Sequence, residues 1–228
     1  MNKPKQLTFP WNKVKKSSLE GFYTSQENSH IVSLLKDRSF LDDLFIYGTK
    51  ESGKTFLLQA MCNSYSFVDK SSLYIPLKKV MNYGIEIFDS LENIDLICVD
   101  GIEEVISKIE WEKAIFNLIN KALISESRLI LTSSKDLKSL NFSLPDLESR
   151  IRKIQSYELY PINDKDILDA LKYISKLTSI NLGDKEAKYL VTYSQRNISN
   201  LVHILESLDQ LSMEMKRKIT IPLIKEVI

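Results

Sequence analysis

Leu44-Phe45-Ile46-Tyr47-Gly48-Thr49-Lys50-Glu51-Ser52-Gly53-Lys54-Thr55 is the stretch on which the fold turns. Its first four residues form a short apolar run that stops at a glycine, and from Thr55 to Met61 the chain continues as an apolar helix. The link between them, residues 48–55, reads G-x-x-x-x-G-K-T, the full Walker A consensus, in the strand–loop–helix context its mechanism requires. Glycines let the backbone curl so that successive N–H groups face phosphate oxygens, and the helix that follows turns its positive end toward the same charge. Lys54 is placed to reach the β- and γ-phosphates and Thr55 to set a hydroxyl on Mg²⁺. With average glycine usage, a chance match in a chain of this length is a roughly one-in-a-hundred event, so a bare glycine-rich turn is the weaker reading.

Outward from the loop, strand and helix patterns alternate. Leu73-Tyr74-Ile75-Pro76-Leu77, Asp95-Leu96-Ile97-Cys98-Val99-Asp100 and Leu129-Ile130-Leu131-Thr132 read as buried strands, with one more between Ile154 and Leu159. Trp111, Ala114, Ile115, Leu118, Ile119, Ala122 and Leu123 recur at helical spacing between residues 110 and 126. Such alternation implies an α/β fold, a parallel sheet flanked by helices on both faces. After Pro161 only helical periodicity remains, with Asp164 and Asp184 as candidate N-caps and Thr220 capping a last helix whose first turn holds Pro222. The expected division is a flexible tail at 1–18, a nucleotide-binding domain at 19–160 and a small all-helical lid at 161–228.

Asp100 ends the second of these strands, where a carboxylate can hold hydrated magnesium beside the P-loop; Thr55 and Asp100 are therefore the expected metal-facing pair. Position 101 is Gly, where efficient ATPases of this kind carry a second carboxylate to orient water. Glu103 and Glu104 follow, but a shift of two or three residues is expected to point a side chain elsewhere. Slow intrinsic hydrolysis follows, below about 1 s⁻¹.

The 228 residues suit one core plus a satellite, and 31 Lys+Arg against 30 Asp+Glu leave a formal charge of +1. A pI near 7.6 lies below the value above about 9 common in duplex-binding domains, so direct sequence-specific DNA binding is not expected. Cys62 and Cys98 sit in apolar runs and read as core residues in a reducing compartment. Neither an N-terminal apolar signal region nor an apolar run of about 18 residues occurs, so a cytoplasmic protein without membrane contact is expected.

At this level the chain resembles the initiator family of AAA+ proteins, and within it the DnaA-related regulators that inactivate the bacterial replication initiator. Besides the P-loop, the residues that carry the likeness are Trp111-Glu112, Ala114-Ile115-Phe116-Asn117-Leu118, Leu140-Asn141, Ser143-Leu144-Pro145-Asp146-Leu147, Ser149-Arg150 and Arg217-Lys218-Ile219-Thr220-Ile221-Pro222. The likeness spans nearly the whole chain, which ends where the initiator's own DNA-reading domain would begin. It implies ADP or ATP with Mg²⁺ as ligand, the polymerase sliding clamp and the DnaA initiator as partners, and it leaves room for a homo-oligomer. Any ATPase of its own would be weak; the chain would act mainly by activating the initiator's.

The resemblance makes Arg150 an arginine finger offered to a neighbouring subunit's nucleotide, a role that suits a planar, permanently charged group. A local pairing with Asp146 or Glu148 is the alternative. The tail segment Gln6-Leu7-Thr8-Phe9-Pro10-Trp11 resembles the family's clamp-binding peptide, with Gln6, Leu7 and Phe9 as anchors; packing on the protein's own core is the alternative. Ser199 stands where the family has its sensor II arginine, and Arg196 is a substitute if it shares that helix face. Thr132, Ser133 and Ser134 all qualify for sensor I. Glu27 and Asn28 fall where the family borders the adenine, although Asn28 equally suits a helix cap, and His30 and His203 receive no role. Two rivals stay open: a helicase-loader-like ATPase, and an adaptor whose nucleotide is only structural.

Overall fold

The computed structural model of the chain describes residues 17–88, 91 and 93–228. A five-stranded sheet in the order β2-β3-β4-β1-β5 forms its centre, from β1 (Leu44–Tyr47), β2 (Ser72–Pro76), β3 (Leu96–Asp100), β4 (Arg128–Ser133) and β5 (Gln155–Glu158). Every pairing is parallel. Parallel strands need crossovers, and these are supplied by α2 (Lys54–Ser66), α4 (Ile109–Ile124) and α5 (Pro145–Ile151). Strand side chains alternate between two cores. Phe45, Ile97, Val99, Leu129 and Leu131 face α4, α5 and the short α3 (Leu77–Val80), whereas Leu44, Ile46, Leu96, Cys98 and Ile130 face α2 and α1 (Ser29–Lys36). That two-sided burial is why the strands read as unbroken apolar runs.

The helical remainder comprises α6 (Ile167–Leu177), α7 (Asp184–Tyr193), α8 (Ile198–Met215) and α9 (Ile221–Val227). These gather a third core around Leu171, Leu190, Leu201, Leu205 and Ile224. The expected caps shift slightly: Asp166 precedes α6, with Asp164 in the turn before it, and Gly183 precedes α7, with Asp184 in its first turn. Thr220 does precede α9, with Pro222 in the opening turn.

Ser17 and Ser18 depart from the expected tail. Ser17 is buried and its carbonyl accepts from Asn63 Nδ2 at 2.8 Å, and Ser18 Oγ accepts from the Gly21 amide at 3.0 Å. Asn28 is buried and does not cap α1 with its side chain. It instead holds the backbone of Tyr160 at both groups, donating to its carbonyl at 2.8 Å and accepting from its amide at 2.9 Å, which fixes the chain as it leaves β5 for the helical part.

Candidate nucleotide site

The site forms at the carboxyl ends of β1, β3 and β4, where a parallel sheet opens its crevice. Gly48 leaves β1 with its amide on the Ser133 carbonyl, 3.2 Å away. A Cβ at Gly48 would run into the carbonyl oxygen of Leu159, so the loop can leave the sheet this tightly only without a side chain. Glu51 and Gly53 take left-handed conformations at φ 71 and φ 97, and Gly53 lies under the Phe22 ring, 2.6 Å from where its Cβ would be. Helix α2 starts at Lys54 directly after Gly53, which places the unpaired amides of its first turn at the loop. Thr49 and Lys50 are exposed at the mouth, and Ser52 is buried inside the loop.

Lys54 folds back across the loop, donating to the carbonyls of Gly48 at 2.7 Å and Thr49 at 2.8 Å and to Ser52 Oγ at 3.3 Å. Burial lowers the pKa of its ammonium, and the carboxylates of Glu103 and Asp100 oppose that shift, Glu103 the more strongly. The pair expected to face a metal is brought together: Thr55 Oγ1 donates to Asp100 Oδ2 at 2.7 Å. Two further hydroxyls converge on the same carboxylate, Tyr74 on Oδ2 at 2.8 Å and Thr132 on Oδ1 at 2.6 Å. Tyr74 is pushed to a higher pKa by burial and by the adjacent Asp100 charge, so it stays a neutral donor.

Tyr74 is a site residue that the sequence reading passed over. Its signal was available: a tyrosine inside an apolar strand needs a partner for its hydroxyl, and β2 lies beside β3, with Tyr74 in register with Cys98. Glu103 is a second. Contrary to expectation its side chain does not turn away: Gly101, left-handed at φ 84, reverses the chain into a 3₁₀ turn Ile102–Val105, and Glu103 Oε1 accepts from the Ser134 amide at 2.9 Å.

The sensor I candidates separate by their bonds. Thr132 is committed to Asp100 and to the Gly101 amide, Ser133 Oγ accepts from the Lys135 amide at 2.9 Å, and the exposed Ser134 meets Glu103 through its backbone. The helix-face argument for Arg196 fails because Asn197 caps α8, its Oδ1 accepting from Ser199 at 2.8 Å and Asn200 at 3.4 Å. Arg196 therefore lies outside the helix whose face it was expected to share, and it and Ser199 are both exposed. Arg150 sits in the last turn of α5, and its guanidinium has no bonded partner among the described residues. Of its two expected local partners, Glu148 is taken by Arg152 at 2.6 and 2.9 Å, and Asp146 makes no bond to Arg150 among the described residues. Gln6, Leu7 and Phe9 lie outside the described residues.

Comparison with known proteins bears on this geometry. The family model described as an AAA domain matches residues 43–168, more than half of the chain, and that described as Hda, lid domain, matches residues 164–228. The chain is a Hda/DnaA-related AAA+ protein. An uncharacterized Haemophilus influenzae protein is 34% identical over 227 residues, 98% of each chain. Among solved structures, domain III of Thermotoga maritima DnaA superposes with a TM-score of 0.74 at 20% identity, covering 96% of this chain and 99% of that one. Aquifex aeolicus DnaA, solved with AMPPCP bound, gives a TM-score of 0.70 at 20% identity over 89% of this chain and 68% of that one. The DnaA matches share the fold of this Hda/DnaA-related chain, a parallel sheet flanked by helices with a small helical lid. No helix among the described residues is long and apolar enough to cross a membrane.

Proposed function

We propose that this chain regulates the initiation of DNA replication. It holds an adenine nucleotide, ADP or ATP with Mg²⁺, on residues 48–55 and Asp100, docks on the polymerase sliding clamp through Gln6, Leu7 and Phe9, and promotes ATP hydrolysis by the DnaA initiator with Arg150. Residues 19–160 form the nucleotide-binding domain and 161–228 the lid in this reading. The observation that carries it is Arg150: an arginine without a bonded partner among the described residues, in a protein whose lid matches that of Hda.

The residues present fit the nucleotide. Lys54 would exchange its carbonyl acceptors for phosphate oxygens, a stronger charge-assisted bond, and the α2 amides would meet the same charge. Thr55 and Asp100, already 2.7 Å apart, offer the hydroxyl and the carboxylate between which Mg²⁺ is held in P-loop sites. The metal would supply neutralisation of charge across the β- and γ-phosphates. Arg150 belongs to the partner's reaction. Its fixed charge meets the charge that develops on a neighbouring γ-phosphate, worth roughly 10³ to 10⁵ in rate where such fingers are established. Delivery from a neighbour calls for side-by-side assembly with DnaA, and the same surface admits a homo-oligomer.

The test is ATP hydrolysis by DnaA with and without this chain and DNA-loaded clamp. Hydrolysis should rise when all are present, Arg150→Ala should remove the rise, and Ala at Gln6, Leu7 and Phe9 together should remove its dependence on clamp. An unaltered rise with Arg150→Ala would rule out the finger.

A further inference from the structure

We propose that Glu103 is the water-orienting carboxylate of this site, filling the role that Gly101 cannot. The inference rests on the nucleotide reading above. Placement comes first. Ile102 and Val105 are fully buried and pin the 3₁₀ turn to the core, so Glu103 is carried on a fixed support. One carboxylate oxygen, Oε1, is accounted for by the Ser134 amide at 2.9 Å, at the end of the strand that lies between Asp100 and the P-loop. The other, Oε2, is buried and lacks a hydrogen-bond partner among the described residues.

A purely structural role explains Oε1 and leaves Oε2 without a reason. An unsatisfied buried acceptor costs on the order of 1–3 kcal/mol, more when charged, and a native fold retains one where a ligand brings the missing donor. Asp100 has another task, since its carboxylate is the one assigned to the metal with Thr55 and is already met by the Thr55, Tyr74 and Thr132 hydroxyls. Lys54 has donors only. Beside the end of β4, between Asp100 and the P-loop, the carboxylate oxygen left without a donor among the described residues is Glu103 Oε2.

The step balances without any further reagent than nucleoside triphosphate and water. The water oxygen bonds to the γ-phosphorus as the bond from phosphorus to the bridging oxygen breaks, and the nucleoside diphosphate leaves with that electron pair. One water proton passes to Glu103 Oε2 and from there to a phosphate oxygen, which restores the carboxylate as orthophosphate departs.

Glu103→Gln keeps the shape and an acceptor for Ser134 but turns the free oxygen into a donor. The full chain and this variant are compared by titration with a fluorescent ADP, by the same titration with aluminium fluoride, and by single-turnover hydrolysis of ATP. ADP should bind the two alike, while hydrolysis falls about a hundredfold or more and the tightening by aluminium fluoride disappears. Equal hydrolysis, equal tightening, or a wild-type chain that binds ADP and never hydrolyses ATP overturns the role of Glu103 and spares the nucleotide reading. Loss of ADP binding in the variant alone also overturns it, because Glu103 would then be holding the loop. Absence of ADP binding in the wild type removes both.

Discussion

Lys54 points its ammonium into three oxygens of its own loop, all of which a phosphate can replace. Lys54→Ala should therefore lower nucleotide affinity by about a hundredfold, on the order of 2.7 kcal/mol, while the melting temperature of the free chain barely moves; calorimetric titration and a thermal melt read the two effects. Gly48 answers to a different constraint. Its missing side chain leaves room for the Leu159 carbonyl, so Gly48→Ala should destabilise the protein by about 1–3 kcal/mol in urea unfolding, nucleotide or not. Lys54, Thr55 and Gly48 were legible in the sequence because a phosphate loop is a contiguous chemical device. Tyr74 and Glu103 were not, since their relation to Asp100 and Lys54 arises from strand register and from one left-handed glycine, and neither leaves a local pattern.

Among the elements, α4 does more than cover the sheet. Its Glu112 is fully buried and accepts from the amides of Ser107 at 2.9 Å, Ser143 at 3.1 Å and Leu144 at 2.7 Å. One carboxylate thus joins the segment after β3 to the start of α5, the helix that carries Arg150. Glu112→Ala should cost roughly 3 kcal/mol, because a fully buried carboxylate is removed and three part-buried N–H groups lose their acceptor; the midpoint of a urea titration should fall at unchanged slope, and no change in midpoint would show that water replaces the carboxylate. The strands and α4 were readable from apolar runs and from helical spacing, whereas the starts of α6 and α7 slipped by a residue or two. Aspartates crowd those turns, and a cap is set by backbone geometry that composition does not encode. Asn28 shows the same limit: its cap-like place in the sequence hides a tertiary bond to Tyr160, far along the chain.

For the whole molecule, two cores clasp the sheet and a third lies within the helical segment. The helical part touches the N-terminal segment through Tyr173, whose hydroxyl donates to the Glu20 carbonyl at 2.6 Å and whose ring meets Tyr23 edge-on. This architecture was foreseeable from the change at Pro161 to helical periodicity alone; its likeness to DnaA domain III extends over 96% of the chain. A ligand that binds only the folded state stabilises all of it by mass action. ADP with Mg²⁺ at a hundredfold its dissociation constant should add about 2.7 kcal/mol and raise the melting temperature by roughly 5–10 °C. Everything assigned to this protein depends on residues 48–55 gripping a polyphosphate, and equilibrium titration of the purified chain with fluorescent ADP and Mg²⁺ measures that grip. Saturable one-to-one binding that collapses in Lys54→Ala is the expected result. Absence of saturation, or equal binding by the Lys54→Ala variant, would contradict it.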